Sequence, residues 1–293
     1  MIKDKLKFLA KTIYYPLSYK RKFKEKMGYA LNILEPKTFN EKIHYRKKNG
    51  NFSVMALYAD KYVVRDYVKE KIGDEYLIPL IGVYDSLSPT DFKTLPKKFV
   101  IKTNHGSGNK HISIVEDKDM LDIHETCKKF NTAIKESFGL ATGEYFYTKI
   151  KKKILIEEYL DMGLKTPDDY KFHCFNGKNG IKIYIQLDRG RFGDHKRNIY
   201  NENWELLNFH FDGVEQIGLI NKPENLSQML FLAKRLASDF DYIRVDLYNI
   251  NGKIYFGELT QTHNNGMAKK PLDLDCEWGD YWEINNKLKI YKQ

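Results

Sequence analysis

Short apolar runs separated by turn-forming residues dominate the middle and the end of the chain. They have the length and the β-branched and aromatic content that are typical of strands. Five of them cover residues 77–83, 98–103, 154–159, 170–175 and 181–187. Two more runs, 242–248 and 253–259, flank the sequence Asn-Ile-Asn-Gly and predict a hairpin, because such residues accept the tight turn between antiparallel strands.

Helical periodicity marks the N-terminal part of the chain and several segments between the strands. Thr38 followed three residues later by Glu41 is typical of a helix N-cap with a capping box. The predicted helices cover residues 3–31 with an interruption near Pro16, about 55–71, 119–137 and 223–239. The succession gives a mixed α+β chain with mainly antiparallel strands. It has neither the alternating βα pattern nor the GxGxxG motif of a dinucleotide-binding fold.

The composition indicates a folded protein without a membrane span. Of the 293 residues 42% are hydrophobic, enough for a core, and 30% are charged. No stretch approaches the ~20 apolar residues that cross a bilayer, and the N-terminus lacks the apolar core and cleavage site of a signal peptide. The three cysteines are far apart in sequence, which favours a reducing compartment. We therefore expect a soluble, cytoplasmic protein.

Positive charge is concentrated at the N-terminus. Residues 1–48 contain 14 Lys and Arg against 4 Asp and Glu, whereas the remaining chain contains 35 of each. Nucleic-acid binders usually spread basic residues over a folded face with aromatic residues between them, so we expect no nucleic-acid partner. The simplest interpretation is a solvated helical face. The alternative is a peripheral contact with an anionic membrane, which would place the protein at the inner membrane face, or with an anionic polymer.

A glycine-containing loop follows the predicted strand 98–103. The strand ends in Lys102, and the loop continues as Thr-Asn-His-Gly-Ser-Gly. Glycines let such a loop turn its backbone N–H groups towards phosphate oxygens, and the lysine adds a positive charge. The spacing is not that of a P-loop. By itself the pattern is weak, because an exposed Gly-Ser-Gly turn is common.

Two further segments carry acidic residues at the ends of strands. The run Ile154-Leu-Ile-Glu-Glu158 could offer backbone groups to an adenine edge, although a strand that simply leaves the core looks the same. In the predicted hairpin, Arg244 and Asp246 are two residues apart and face one side. Glu258 lies on the partner strand, so the two carboxylates approach each other. Paired carboxylate oxygens are the ligands that Mg²⁺ prefers.

Taken in order, these segments resemble the ATP-grasp superfamily over residues 58–267. More narrowly, the whole chain is similar to the TupA-like ATP-grasp proteins of bacterial surface-polysaccharide gene clusters. The matching segments are Thr38-Phe-Asn-Glu-Lys42, Asp60-Lys-Tyr62, Ile78-Pro-Leu80, Lys102-Thr-Asn-His-Gly-Ser-Gly108, Glu157-Glu-Tyr-Leu160, Asp169-Tyr-Lys-Phe172, Arg244-Val-Asp-Leu247 and Gly257-Glu-Leu-Thr260.

The resemblance implies a fold and a set of site residues. The fold is α+β, with two subdomains (58–158 and 159–293) that clasp ATP, after a basic, mainly helical segment (1–57). The implied ATP-binding residues are Lys61, on an early helix, and Lys102, His105, Gly106, Ser107, Gly108, Glu157, Glu158, Tyr159, Leu160 and Asp169. The implied Mg²⁺ ligands are Asp246, Glu258 and, because Thr260 stands where many relatives have Asn, Asn264 or Asn265. His105 could donate to a phosphate or be a water-exposed loop residue.

The resemblance also implies a reaction. ATP phosphorylates a carboxylate to an acyl phosphate, and an amine then attacks to give an amide. Arg244 would stabilise the transferring phosphoryl group, with Lys171 and Arg189 as further contacts to phosphate or substrate. The family context suggests a sugar acid or peptide of a surface polysaccharide. Three alternatives remain at this point: a sugar or lipid-linked kinase, a glycosyltransferase of the same pathway, and a non-enzymatic basic binding module.

Overall fold

A five-stranded antiparallel sheet is the larger of two sheets in the computed structural model, which describes residues 19–160, 168–190 and 193–284. Its strand order is β7-β6-β5-β8-β9. The strands are β5 (Asp169–Gly177), β6 (Gly180–Arg189), β7 (Lys196–Asn201), β8 (Tyr242–Ile250) and β9 (Lys253–Thr260). The predicted hairpin is β8–β9, and Asn251 and Gly252 at its turn both adopt positive φ, as this tight turn requires.

The smaller sheet has four strands in the order β1-β4-β2-β3, with antiparallel pairings. Its strands are β1 (Leu80–Tyr84), β2 (Phe99–Thr103), β3 (Ile112–Val115) and β4 (Ile154–Glu158). β3 and β7 were not predicted from the sequence. The mixed α+β class and the antiparallel pairing are confirmed.

Six helices follow the N-terminal helical stretch in the described part of the chain. They are α1 (Phe39–Asn49), α2 (Phe52–Ala59), α3 (Val64–Ile72), α4 (Ile123–Ala133), α5 (Leu226–Ala237) and α6 (Leu272–Tyr281). The capping box predicted at the start of α1 is present: Thr38 accepts from the N–H of Glu41, and Glu41 accepts from the N–H of Thr38. α6 was not predicted.

The predicted continuous helix over about 55–71 is wrong, because the chain leaves the helix at Asp60. The Asp60 carboxylate accepts from the N–H groups of Tyr62 (2.8 Å) and Val63 (3.3 Å), and the next helix begins there. Aspartate competes in this way with the backbone carbonyls that would continue the helix. Lys61 therefore lies at a break between two helices and not on a helix.

The two faces of the large sheet differ in character, because successive side chains point to opposite sides. One face is apolar and packs against α3 and α5, with Phe172, Ile185, Val245 and Leu236 fully buried. The opposite face is apolar only at one end, where α1 and α6 cover it through Phe39, Trp278 and Trp282. The other end of that face carries the polar and charged side chains described below.

The N-terminal helical stretch, residues 19–27, docks on this covered end. Tyr19 and Phe23, four residues apart and therefore on one side, are buried; Phe23 meets the ring of His44 at 5.4 Å. Lys20, Arg21, Lys22 and Lys24 are exposed. The rest of the predicted N-terminal helix, residues 3–18, lies outside the described residues. Of the described helices, none has the length and apolar character needed to cross a membrane.

Candidate active site

The glycine loop after β2 is anchored at its base and exposed at its tip. Asn104 donates to Asp60 (2.9 Å), and its backbone carbonyl accepts from the N–H of Lys61 (3.0 Å). The loop base is thereby fixed to the break between α2 and α3. Ser107 and Gly108 are exposed, and Gly108 has a φ of +77°, which favours glycine. The arrangement leaves the tip free to present backbone N–H groups.

Two other loop residues, His105 and Gly106, are buried. The water-exposed alternative for His105 is wrong: its ring is fully buried beside His111, with ring centroids 5.4 Å apart. Burial, with the nearby cations Lys152 and Lys61, lowers the pKa of His105 to about 4. Gly106 is required by space, since a Cβ there would lie 2.1 Å from the His111 ring.

Lys61 and Lys102 are brought together beside the small sheet. The Lys102 ammonium lies 2.6 Å from the Glu157 carboxylate, and the Lys61 ammonium donates to the Gly106 carbonyl at 2.9 Å. Burial lowers the pKa of Lys61, Lys102 lowers it further, and Glu258 on the large sheet raises it. The pKa of Lys61 therefore responds to charges on both sheets.

The predicted adenine segment is the end of β4 and the residues that follow it. Glu157 is buried and contacts Arg65 (3.6 Å) as well as Lys102. Glu158 is exposed and its backbone N–H donates to Pro79 (3.0 Å). Tyr159 and Leu160 are half-buried, and residues 161–167 lie outside the described part of the chain.

Asp246 and Glu258 face each other across β8 and β9. The Arg244 guanidinium binds both: Nε and one terminal nitrogen each lie 2.7 Å from Asp246, and that terminal nitrogen lies 2.6 Å from Glu258. Gly257 forms a β-bulge just before Glu258, and a Cβ there would lie 3.1 Å from the Asp246 carbonyl. A bulge redirects the following side chain, which brings the second carboxylate into this register.

The two carboxylates have pKa values displaced in opposite directions. Burial raises the pKa of Asp246 to about 7, with Glu258 adding to the shift and Arg244 opposing it. Burial would also raise the pKa of Glu258, but Arg244 and Lys61 outweigh it and lower that pKa to about 2. Opposite shifts of neighbouring acids are typical of functional sites.

Lys171 and Asp169, on the adjacent strand β5, lie in a dense ionic network. The Lys171 ammonium contacts the carboxylates of Asp169 and of Asp188, the latter at 2.8 Å. Asp188 also accepts from Arg197 (2.5 Å). Lys171 is the register partner of Asp246, so the network adjoins the carboxylate pair.

Arg189 and Asn264 are engaged with other partners. The Arg189 guanidinium binds Asp168 through two nitrogens, at 2.7 and 2.6 Å. Asn264 is exposed and donates to Asp212 at 2.6 Å, while the Asn265 side chain accepts from Lys47. Thr260 donates to Glu258 at 2.8 Å, so its hydroxyl is the group beside the carboxylate pair.

Comparison of the sequence with models of protein families identifies the family of this chain. The model described as TupA-like ATPgrasp matches residues 41–283. The chain belongs to the TupA-like ATP-grasp family. The match spans both sheets and every site residue discussed above, and it confirms the predicted family, the ATP-grasp fold and an enzyme of the ATP-grasp class. It supports ATP-dependent ligation of a carboxylate and an amine in general terms.

Solved ATP-grasp structures show a distant likeness to this TupA-like chain. The D-alanine-D-alanine ligase of Helicobacter pylori aligns at 16% identity and a TM-score of 0.43, over 78% of this chain and 62% of that one. The D-alanine-D-alanine ligase of Bacillus anthracis aligns at 15% identity and a TM-score of 0.43, over 82% of this chain and 71% of that one. N5-carboxyaminoimidazole ribonucleotide synthetase from Thermus thermophilus aligns at 11% identity and a TM-score of 0.42, over 79% of this chain and 54% of that one. The chain thus spans less than two thirds of the first and third of these proteins. No curated protein matches it in sequence.

Two residues of this TupA-like site escaped the sequence analysis. His263 accepts from the remaining terminal nitrogen of Arg244, through Nδ1 at 2.8 Å. Glu144, nearly buried, accepts from Thr142 (2.7 Å) and from Thr262. Glu144 lies between α4 and β4 in sequence, but its carboxylate contacts Thr262 in the loop after β9. The polar character of that loop, Gln261-Thr-His-Asn-Asn-Gly266, was the available signal, although it does not indicate which atoms meet.

Proposed function

We propose that this protein is an ATP- and Mg²⁺-dependent carboxylate–amine ligase that acts through an acyl phosphate. The observation that carries the proposal is a carboxylate pair on the large sheet together with Lys61, at the break between α2 and α3, and Lys102, on the small sheet. Asp246 and Glu258 oppose each other in register. Burial lowers the pKa of Lys61, and the charges of Glu258 and Lys102 both act on it. Lysine ammonium groups can bind the oxygens of a triphosphate, and neighbouring carboxylates can bind the metal ion that accompanies it.

The triphosphate contacts come from the small-sheet side. Lys61 and Lys102 supply charge, and the exposed loop tip at Ser107 and Gly108 supplies backbone N–H groups. In the described structure both ammonium groups already have an oxygen partner, at 2.9 and 2.6 Å. Phosphate oxygens would replace or share those partners. The segment 157–160 is the proposed adenine contact.

The carboxylate pair fits Mg²⁺ by its chemistry, although no cluster of three or more His, Cys, Asp and Glu side chains forms within the described ranges. Asp246 and Glu258 offer hard carboxylate oxygens, and Thr260 adds a hydroxyl. Arg244 forms ion pairs with both acids in the structure, and its single positive charge offsets part of their negative charge. When bound, Mg²⁺ would supply charge neutralisation at the phosphates.

The proposed reaction has two steps. A substrate carboxylate oxygen attacks the γ-phosphorus of ATP, the bond to the bridging oxygen breaks, and ADP leaves. The amine then attacks the carbonyl carbon of the acyl phosphate, and inorganic phosphate leaves with one oxygen of the original carboxylate. Arg244 would stabilise the transferring phosphoryl group, since it contacts both proposed metal ligands.

We propose a sugar acid or a peptide of a bacterial surface polysaccharide as the carboxylate substrate. Support comes from the family assignment and from the exposed cations of residues 20–24, which would attract an anionic acceptor. Such an acceptor near the cytoplasmic membrane would place the enzyme at the inner membrane face.

Hydroxylamine trapping tests the proposal. Hydroxylamine replaces the unknown amine, because it converts acyl phosphates into hydroxamates. The protein is incubated with Mg·ATP, hydroxylamine and pooled uronic acids and short peptides. We expect ADP and hydroxamate in equal amounts, and neither with Asp246→Asn. ADP without hydroxamate, together with a phosphorylated sugar, would replace the ligase with a kinase.

A further inference from the structure

Among the residues that the structure describes, His263 makes one hydrogen bond, with the guanidinium of Arg244. Nδ1 of the ring lies 2.8 Å from a terminal nitrogen of Arg244. A guanidinium has only donors, so Nδ1 must be the unprotonated acceptor and the ring proton must lie on Nε2. The other nitrogens of Arg244 donate to Asp246 and Glu258. Four of the five N–H groups of this guanidinium are thereby engaged, and His263 binds the terminal nitrogen that the acids do not contact.

The ring of His263 is buried and packs against other rings. His263 is 3% exposed and packs near Phe211 at 5.8 Å and edge-on to His173 at 4.7 Å. Its Nε2–H is buried and has no hydrogen-bond partner within the described ranges. A buried donor without a partner destabilises the folded state. A phenylalanine would fill this space without that cost, so packing alone does not account for histidine.

We propose that His263 is a positioning residue, which holds the Arg244 guanidinium in the orientation that contacts the phosphoryl group. The proposal rests on the proposed ATP site. Without an acceptor at Nδ1, one terminal N–H of Arg244 would be buried and unpaired, and the guanidinium would rotate towards another partner. The loss of this orientation would lower the preference of the protein for ATP over ADP, because only ATP has the γ-phosphate that Arg244 would contact.

The ring stays neutral in this role. Burial lowers the pKa of His263 far below its usual range, and the neighbouring groups His173, Arg244, Arg197 and Lys270 lower it further. A neutral acceptor is what a guanidinium requires, since a protonated ring would repel it. The contact therefore holds throughout the neutral pH range.

A pair of substitutions separates positioning from packing. His263→Asn places an amide oxygen near the position of Nδ1 but fills less space, whereas His263→Phe fills the space and has no acceptor. Positioning predicts that Asn retains function better than Phe. Packing predicts the reverse order, with Phe at least as good as Asn both in thermal stability and in function.

The readout is the ratio of the dissociation constants for Mg·ADP and Mg·ATP, which isolates the γ-phosphate contact and needs no acceptor substrate. We expect His263→Phe to reduce the preference for ATP by about 10- to 100-fold, the equivalent of one hydrogen bond to a charged group. His263→Asn should stay within a few-fold of the parent. In an Arg244→Lys background the Phe substitution should have little further effect. Equal ratios for Asn and Phe would overturn the proposal.

Nitrogen NMR of the imidazole gives a readout that does not depend on the ATP site. In the nucleotide-free protein we expect His263 to show a protonated Nε2 and a hydrogen-bonded, unprotonated Nδ1, and Arg244→Lys should shift the Nδ1 resonance. A protonated Nδ1, or no response to Arg244→Lys, would refute the contact itself. If this signature is present but the parent protein binds no Mg·ATP, the proposed function fails and the positioning of Arg244 towards phosphate fails with it, while the contact stands.

Discussion

Asp246 and Glu258 are register partners on adjacent strands, and a single guanidinium, that of Arg244, binds both. Three charged side chains thus form one unit on the polar end of a sheet whose opposite face is apolar core. Burial of Asp246, with the partly exposed Glu258 beside it and a single arginine for both acids, is costly. That cost is expected at a site that, as proposed above, binds Mg²⁺ and the phosphates of ATP.

Asp246→Asn and Glu258→Gln should each abolish ATP turnover while the fold is retained. Each substitution keeps the size of the side chain and removes one proposed metal ligand. We expect a loss of about 100-fold or more, because metal-ion stabilisation of phosphoryl transfer is worth several kcal/mol. ADP release and circular dichroism check the two halves of this prediction. Asp119→Asn, at an exposed aspartate, serves as the matched control. Parent turnover in both variants would exclude the metal assignment.

Lys61→Ala and Lys102→Ala should weaken nucleotide binding. Each removes one charge-assisted contact, worth roughly 1.5–3 kcal/mol, so the dissociation constant for ATP should rise about 10- to 100-fold. Calorimetry with Mg·ATP is the measurement. Lys97→Ala is the control, since Lys97 belongs to the same half of the protein but is 64% exposed and pairs with Asp117. Affinities unchanged in both variants would show that the phosphates bind elsewhere.

Acid should destabilise the protein through His44. Burial lowers its pKa to about 3, so the folded protein resists a proton that the unfolded chain accepts near pH 6.5. Stability from this group is complete above pH 6.5 and is lost as the pH falls towards 3. Between pH 7 and pH 5 the loss is roughly 2 kcal/mol.

Urea unfolding of the parent and of His44→Gln checks this prediction. Glutamine can still donate to the Gly266 carbonyl, which His44 contacts at 3.2 Å, but it does not titrate. The variant should therefore lose less stability on acidification than the parent. Identical pH dependence in the two proteins would mean that His44 is not responsible.

The exposed cations of residues 20–24 should increase affinity for a polymeric acid. Reversal of charge at Arg21, Lys22 and Lys24 should weaken binding to a soluble polyuronate and leave monomeric glucuronic acid unaffected. The difference should fade with salt, because exposed charges are screened over ~8–10 Å at physiological ionic strength. Reversal at Lys93, Lys128 and Lys178 is the control, since these exposed lysines lie elsewhere. Equal effects of the two triple variants would favour a merely solvated helical face.

Local patterns were sufficient to predict the elements on which the site is built. The hairpin β8–β9 follows from alternating strands and a turn sequence, so the approach of Asp246 and Glu258 was predictable. The break at Asp60 was missed, because an aspartate within a helical pattern does not reveal that its carboxylate will accept from the N–H groups that follow it. The contact that fixes this carboxylate to the glycine loop, from Asn104, joins residues 44 positions apart. β7 was missed because its sequence, Lys-Arg-Asn-Ile-Tyr-Asn, is largely polar.

The contacts of the loop after β9 were also beyond sequence reasoning. Asn264 and His263 are adjacent, and either could have faced the carboxylate pair. A positive φ of 46° at Asn264 belongs to a turn that sends its side chain to Asp212, whereas His263 meets Arg244. Local composition does not fix such a choice between neighbours, since it depends on the backbone path.

Transfer of oxygen from the substrate carboxylate to phosphate tests the central claim most directly. The carboxylate substrate found by hydroxylamine trapping is labelled with ¹⁸O in both oxygens and turned over with Mg·ATP and an amine. Formation and breakdown of an acyl phosphate predicts one ¹⁸O in each inorganic phosphate released, measured by mass spectrometry. Phosphate that contains no ¹⁸O would show that the carboxylate is not phosphorylated, and would contradict the assignment of this protein as an acyl-phosphate ligase.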